Sequence, residues 1–283
     1  MMVTRFAPSP TGYLHLGHVV NAIYVWGIAR AMGGRVLLRI EDHDRIRCRQ
    51  VYETALLEDL AWLGFEPDEG LQPLVRQSDR TDGYEHALNN LRATDCVYAC
   101  DCSRKRIAAE RYDGRCRDRG LTEIPETGLR VRIDPGAERF DDLLLGPIGQ
   151  IPADQCGDLL LRDRDGNWTY QFAVTVDDMC QGITHVIRGD DLVSSTGRQL
   201  RLARMLGRTE PPVFYHHPLV LKANGTKLSK SAADSGVRDM RFAGMRPEDV
   251  IGRAAAAVGL TGTVQSIAAR DVPALFSPDT IGA

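Results

Sequence analysis

RFAPSPTGYLHLGH, residues 5–18, is the stretch on which the rest of the chain is organised. A short β-like run, Val3 to Ala7, passes through two prolines and a glycine. It then enters a helix near Gly17 whose apolar positions Val20, Ile23, Tyr24, Ile28 and Ala31 keep helical spacing. A strand, a tight loop and a helix in that order offer backbone N–H groups and the positive end of a helix dipole to a phosphate above the strand's carboxyl end. His15 and His18, three residues apart, can face the same polyphosphate. Gly17 between them leaves room for a flat ring on the backbone. Gly33-Gly34 then ends the helix, and Arg35 to Ile40 (RVLLRI) reads as a buried parallel strand, completing a right-handed βαβ unit. Its end, Glu41-Asp42-His43-Asp44, falls beside the histidine loop, at the edge where open α/β sheets bind ligands.

The chain has 283 residues, 43% of them hydrophobic, enough for one large domain with insertions or two smaller ones. No basic and apolar leader precedes Pro10 and no run of about 18 apolar residues occurs, so a cytoplasmic protein without a membrane span is expected. Seven cysteines, an odd number, argue against a disulfide framework and leave metal binding or plain burial. A net charge of −3 gives no global support to a nucleic-acid partner, which must rest on local patches.

Downstream, residues 51–65 form an amphipathic helix with Leu56, Leu60 and Leu63 on one face and Gly64 as its cap, and a second helix covers residues 83–92. Cys100, Cys102 and Cys116 supply three soft ligands for a tetrahedral metal. Cys96 and Tyr112 are both candidates for the fourth, and ordinary buried thiols fit the spacing equally. Around them, residues 104, 105, 106, 111, 115, 117 and 119 are basic against acids at 110, 113 and 118, a local excess that could grip phosphates or solvate a helix face. Leu159 to Val176 reads as a hairpin turning at Asp165-Gly166-Asn167 and then a buried strand. Asp177-Asp178 and Arg188-Gly189-Asp190-Asp191 would end successive strands. His216-His217-Pro218 opens an extended run toward Lys227-Leu-Ser-Lys230-Ser231. An Ala-rich helix follows near 247–258, then a tail without periodicity. Walker A, G-x-G-x-x-G and H-E-x-x-H motifs are absent.

The stretch 5–18 resembles the nucleotide-binding signature of class I aminoacyl-tRNA synthetases, in the form found in glutamyl-tRNA synthetases; glutaminyl enzymes typically carry Pro-Pro-Glu-Pro-Asn where this chain has Ala7 to Thr11. The K-L-S-K-S run resembles the family's second signature. Together they imply ATP binding by Pro8, His15, Gly17, His18, Lys227, Ser229 and Lys230, with His15, His18 and Lys230 offsetting charge during catalysis. Ile40 to Arg47 resembles the family's I-E-D-x-D-x-x-R, which implies that Glu41 binds the amino acid's ammonium group. The segments from Tyr170 and Arg188 resemble Y-Q-x-A-x-x-x-D-D and R-G-x-D-L. By that match Tyr170 lines the amino-acid pocket, Arg188 faces Arg5 across the side-chain carboxylate, and Ala7 and Ser9 complete the glutamate site.

C-x-C followed by Y-x-x-x-C resembles the zinc knuckle of glutamyl-queuosine tRNA(Asp) synthetases, shortened relatives in which the tyrosine joins Cys100, Cys102 and Cys116. The fold this implies is α/β, a doubly wound parallel sheet of the Rossmann type. Residues 1–78 and 170–225 form the core, 79–169 an insertion carrying the knuckle, and 226–283 the K-L-S-K-S loop and a small helical part, too short for an anticodon-binding domain. The implied cofactors are one structural Zn²⁺ and Mg²⁺ with ATP. The implied partners are L-glutamate, ATP and queuosine-bearing tRNA(Asp), with no membrane and a monomeric chain. The alternatives are a shortened glutamyl-tRNA synthetase charging the tRNA 3′ end and a catalytically silent tRNA-binding paralogue.

Overall fold

A computed structural model describes residues 1–103, 107, 111–220 and 236–277. The elements run β1 (Val3–Phe6), α1 (Leu16–Ala31), β2 (Arg35–Ile40), α2 (Gln50–Leu63), β3 (Val75–Arg76), α3 (Thr81–Arg92), β4 (Val97–Cys100), β5 (Gly128–Val131), β6 (Glu138–Asp142), β7 (Gly146–Gln150), α4 (Pro152–Gln155) and β8 (Leu159–Arg162). They continue through α5 (Tyr170–Cys180), β9 (His185–Gly189), α6 (Val193–Met205), β10 (Val213–His217), α7 (Val237–Phe242) and α8 (Pro247–Ala257) to a 3₁₀ turn at Ala269–Leu275. No helix among the described residues is long and apolar enough to cross a membrane.

Strands β1, β2 and β3 pair in parallel, and β9, β10 and β6 pair in parallel with β7 antiparallel at the edge. The Thr184 N–H donates to the Val3 carbonyl at 2.9 Å, which sets the start of β9 beside β1. Side chains alternate across this sheet as pleating requires. Phe6, Ile187 and Tyr215 enter a core with α1, α2 and α8, while Val186 and Phe214 enter a second one with α6. Both faces are covered, so the α/β, doubly wound expectation holds. Strands β4, β5 and β8 form a separate antiparallel sheet, whose core is shared with α3 and α5.

Several expectations need correction. Residues 170–176 are helix, not strand: the β-branched run Val174-Thr175-Val176 suggested β structure, but Phe172 to Asp178 are buried against their neighbours, and packing overrides so local a preference. Asp177 and Asp178 therefore stand near a helix C-terminus rather than at strand ends. His216 and His217 close β10, the run expected after them lies mostly outside the described residues, and Ala31 is exposed. The tail, which has no periodicity in sequence, is held by Phe276, which packs against Tyr24 at 5.3 Å and over Gly27, where a Cβ would come within 2.1 Å of its ring.

His217 stacks on Tyr24 with ring centroids 4.7 Å apart and lies 2.9 Å from the Asn21 amide, and burial pushes its pKa down to about 4. An unfolded histidine titrates near 6.5, so the unfolded chain takes up this proton first. The stability His217 contributes is full above about pH 6.5 and is lost as pH falls toward 4. We expect a lower urea midpoint at pH 5 than at pH 7, and a smaller drop in His217→Gln; equal drops would remove His217 from this account.

Candidate active site

The histidine loop is built by reciprocal capping. His15 is the N-cap of α1, and its Nδ1 accepts the Gly17 N–H at 3.1 Å, while His18 Nδ1 accepts the His15 N–H at 3.1 Å. Two of the four unpaired donors at the helix start are thus taken by imidazoles, where serine and glutamate usually serve. With Nδ1 an acceptor, each neutral ring carries its proton on Nε2. Gly17 is required for a reason beyond ligand space, since a Cβ there would meet the His15 ring at 3.0 Å. The loop before α1 is tied to the acidic segment after β2: Glu41 N–H donates to the Pro8 carbonyl at 3.0 Å and Arg49 N–H to that of Pro10 at 3.1 Å. Ser9 Oγ lies 3.7 Å from the Cys48 sulfur, and Ala7 is half-buried between Phe6 and Pro8. Gly236 pairs with His15 as an antiparallel bridge. Lys227, Ser229 and Lys230 lie outside the described residues.

Behind the loop is a buried charge network centred on a residue to which the sequence reading gave no role. Arg39, within the apolar strand RVLLRI, is fully buried. Its Nη1 donates to Asp178 and Gln181 at 2.8 Å each and its Nη2 to Glu41 at 3.0 Å. Asp178 also accepts from Arg5 Nε at 3.1 Å, and Arg5 Nη1 reaches the Ile187 carbonyl at 3.4 Å. Burial disfavours charge on Asp178, yet Arg5 and Arg39 hold its carboxyl below the ordinary range. Asp177 accepts from Tyr84 and Gln77 at 2.8 Å and from Arg80, tying α3 to α5. An arginine in an otherwise apolar strand was the available signal for this network.

Arg188 differs from these arginines. It is 4% exposed, and its hydrogen-bond partners are neutral acceptors: His216 Nε2 at 3.1 Å, Gln199 Oε1 at 2.7 Å, Thr196 Oγ1 at 2.8 Å and the Leu192 carbonyl at 3.4 Å. Among the described residues it makes no ion pair. Burial holds its pKa below the usual value, and Arg5 pushes in the same direction. Tyr170 stands within electrostatic reach of Arg188, Glu41, Arg5 and Asp178, with its hydroxyl raised chiefly by burial. Arg5, Arg188, Glu41 and Tyr170 are therefore brought together, with Arg188 carrying a buried charge that an anion would neutralise.

Cys100, Cys102 and Cys116 are buried with their sulfurs within 4.8 Å of one another. Tyr112 joins them, its oxygen 3.7 Å from Cys100 Sγ and accepting the Cys116 N–H at 3.0 Å. Cys96 lies apart, its thiol donating to the Leu91 carbonyl at 3.3 Å. A tetrahedral zinc sets sulfur–sulfur separations of about 3.8 Å, so the donor set fits a metal. Burial opposes ionisation of Cys100, but the Cys102 N–H and Arg130, at 3.3 Å from the sulfur, bring its pKa below the ordinary thiol value. The described arginines of the basic run are engaged locally: Arg115 with Asp113, Arg117 with Asp158, Arg119 with Asp101 and Arg111 with the Ala153 carbonyl. These four brace the knuckle; residues 104–106 lie outside the described part. A cleft of about 960 Å³ runs from His43 and Tyr170 past Trp168 to Cys100 and Cys102.

Residues 1–253 match the family of class I tRNA synthetase (E and Q) catalytic domains. The chain is 43% identical over 265 residues to glutamate–tRNA ligase 1 of Alkalilimnicola ehrlichii, matching 88% of itself but 55% of that protein, and so spans about half of it. It is 40% identical to the glutamyl-Q tRNA(Asp) synthetase of Rhodobacter capsulatus, matching 88% of this chain and 98% of that one. The crystal structure of a glutamate tRNA ligase from Elizabethkingia meningosepticum in complex with its amino acid superposes with a TM-score of 0.83 at 27% identity, covering 99% of this chain and 65% of that one.

Proposed function

The chain belongs to the class I tRNA synthetases of the glutamate and glutamine group, and from that premise we propose that it activates L-glutamate with ATP and transfers it to the queuosine base of tRNA(Asp). The observation that carries the activation step is Arg188, a buried guanidinium that makes no ion pair among the described residues, set beside Arg5 and Tyr170. The side-chain carboxylate of glutamate neutralises it; the amide of glutamine leaves the charge uncompensated. Glu41, aimed by Arg39, takes the ammonium group. The substrate's α-carboxylate then attacks the α-phosphorus of ATP, the bond to the β-phosphate oxygen breaks, and pyrophosphate leaves. The N-terminus of α1 and the Nε2–H groups of His15 and His18 stabilise charge on the phosphates. Lys230, through the likeness of its K-L-S-K-S run to the family's second signature, adds a compact positive charge to the same step. Magnesium bound with ATP supplies further neutralisation of the triphosphate.

In the second step a hydroxyl of the queuosine cyclopentene-diol attacks the glutamyl carbonyl and AMP departs. The cleft between Tyr170 and the thiol cluster admits the acceptor base on this reading. Queuosine is favoured over the tRNA 3′ end because the glutamyl-Q relative is matched along nearly its whole length and because Tyr112 stands in the thiol cluster. The chain acts as a cytoplasmic monomer. The test uses an isolated anticodon stem-loop: labelled glutamate should join the queuosine form and not the guanosine form. Label on the 3′-adenosine of full-length tRNA, whatever the wobble base, would establish the shortened glutamyl-tRNA synthetase instead. No glutamate-dependent ATP–pyrophosphate exchange would leave the silent paralogue.

Cys100, Cys102, Cys116 and Tyr112 hold one structural zinc on the same reading. Elemental analysis is expected to find one zinc per chain in the parent and in Cys96→Ser, and a loss in Cys116→Ser. Zinc lost from Cys96→Ser alone would overturn this ligand set.

A further inference from the structure

Arg188 is aimed by a second pair of buried groups that the proposed chemistry leaves unused. His216 is fully buried at the end of β10, and its Nδ1 lies 2.6 Å from Asp142 Oδ2 at the end of β6. Asp142 is itself 3% exposed and saturated with donors: Oδ1 accepts the N–H groups of Leu144 and Leu145 at 3.0 and 2.9 Å, and Oδ2 accepts the His216 N–H at 3.1 Å as well as the ring. A carboxylate can only accept, so His216 must carry its proton on Nδ1. The lone pair on Nε2 then receives Arg188 Nε–H at 3.1 Å. Gln199 and Thr196 hold the two terminal nitrogens. Burial and the adjacent Arg188 keep the imidazole neutral against the pull of Asp142.

We propose that Asp142 and His216 are positioning residues for substrate selection: the carboxylate fixes the histidine tautomer, and the tautomer fixes the guanidinium of Arg188 against the side-chain carboxylate of the amino acid. The proposal rests on the reading of Arg188 as the glutamate receptor. Its physical core is that the imidazole must be an acceptor on the side facing a group that only donates. Reversing the tautomer would set N–H against N–H between two buried groups.

Asp142→Asn performs that reversal with little change of shape. The amide nitrogen it introduces would meet two backbone N–H groups in the Oδ1 place and one in the Oδ2 place. It therefore occupies the Oδ2 place, donates to His216 Nδ1 and moves the ring proton to Nε2. Two substitutions of His216 separate its two faces. His216→Gln places an acceptor near the original Nε2 and keeps Arg188 held, whereas the shorter side chain of His216→Asn reaches only toward Asp142 and releases it. In ATP–pyrophosphate exchange, Asp142→Asn and His216→Asn should each raise the KM for glutamate about tenfold or more, as expected for a lost hydrogen bond to a charged group. Both should narrow the preference for glutamate over glutamine and leave the KM for ATP within about twofold. His216→Gln should stay within about threefold of the parent on all counts.

A structural role alone would move both Michaelis constants together, or would penalise His216→Gln as heavily as His216→Asn, and either result overturns the proposal. So does a glutamate KM within twofold of the parent in Asp142→Asn. If His216→Asn does not fold, Asp142→Asn and His216→Gln decide. Arg188→Ala, run in parallel, distinguishes the failures. If it too leaves glutamate selection untouched, the receptor reading and this inference fall together; if it alone changes selection, only the positioning role falls.

Discussion

Arg188→Ala is expected to lower kcat/KM for glutamate in ATP–pyrophosphate exchange by about 10²–10³, roughly 3–4 kcal/mol, and to let glutamine compete. The magnitude follows from where the charge sits. A guanidinium 4% exposed, hydrogen-bonded to His216, Gln199, Thr196 and a backbone carbonyl and making no ion pair among the described residues, is electrostatically incomplete without an anion. Binding glutamate completes the pair, so removing Arg188 removes the partner of a desolvated carboxylate. The same reasoning predicts a modest effect on the ligand-free fold, because the variant loses a cation that burial and Arg5 already disfavour. Exchange kinetics with both amino acids, read beside a thermal melt, test the two halves together. An unchanged glutamate-to-glutamine ratio with a large fall in melting temperature would assign Arg188 to structure.

Where the sequence pattern had a single meaning, it was readable. Helix α1, strand β2 and the cap at Gly64 follow from periodicity and from glycines that the chain needs; Gly64 sits at φ 84°, a left-handed conformation that ends α2. The histidine loop was legible as a loop, but its internal logic was not. That His15 and His18 accept backbone N–H groups, and so present Nε2–H, depends on ring orientations that no spacing encodes. Residues 170–176 were misread because three β-branched residues in a row, Val174-Thr175-Val176, point locally to strand, and tertiary packing overrides that preference. Arg39 and Asp142 were passed over, and Asp178 and His216 were named without a site role, for one reason. Each becomes chemically significant only through a partner far away in sequence, such as Asp178, which lies 139 positions from Arg39.

Arg39→Met should be the most destabilising single change in the core, by about 3–5 kcal/mol, because it leaves buried carboxylates without their shared cation. In the parent, Arg39 bonds Asp178 and Glu41 and lies 3.9 Å from Asp177; these carboxylates, with burial opposing them, hold the guanidinium's pKa above its usual value. Asp178 is correspondingly held below the ordinary carboxylate range, so its contribution to stability is present at neutral pH and is lost only as pH falls through that lowered value. The substitution reverses the sign. With only Arg5 remaining against full burial, the Asp178 carboxyl is expected to rise well above its unfolded value, and the folded state of the variant gains protons more readily than the unfolded chain as pH falls. The stability deficit of Arg39→Met relative to the parent should therefore be largest near pH 7.5 and should shrink by pH 5.5, since the background titration of His217 is common to both proteins and cancels in the difference. Urea unfolding of the two proteins at both pH values measures it. A deficit under about 1 kcal/mol, or one equal at the two pH values, would mean that the carboxylates are relieved by water or rearrangement and that Arg39 does not anchor the site. The expected result would also explain how Glu41 is aimed for an ammonium group: one of its oxygens already faces Arg39 at 3.0 Å, which holds the carboxylate in place before any substrate arrives.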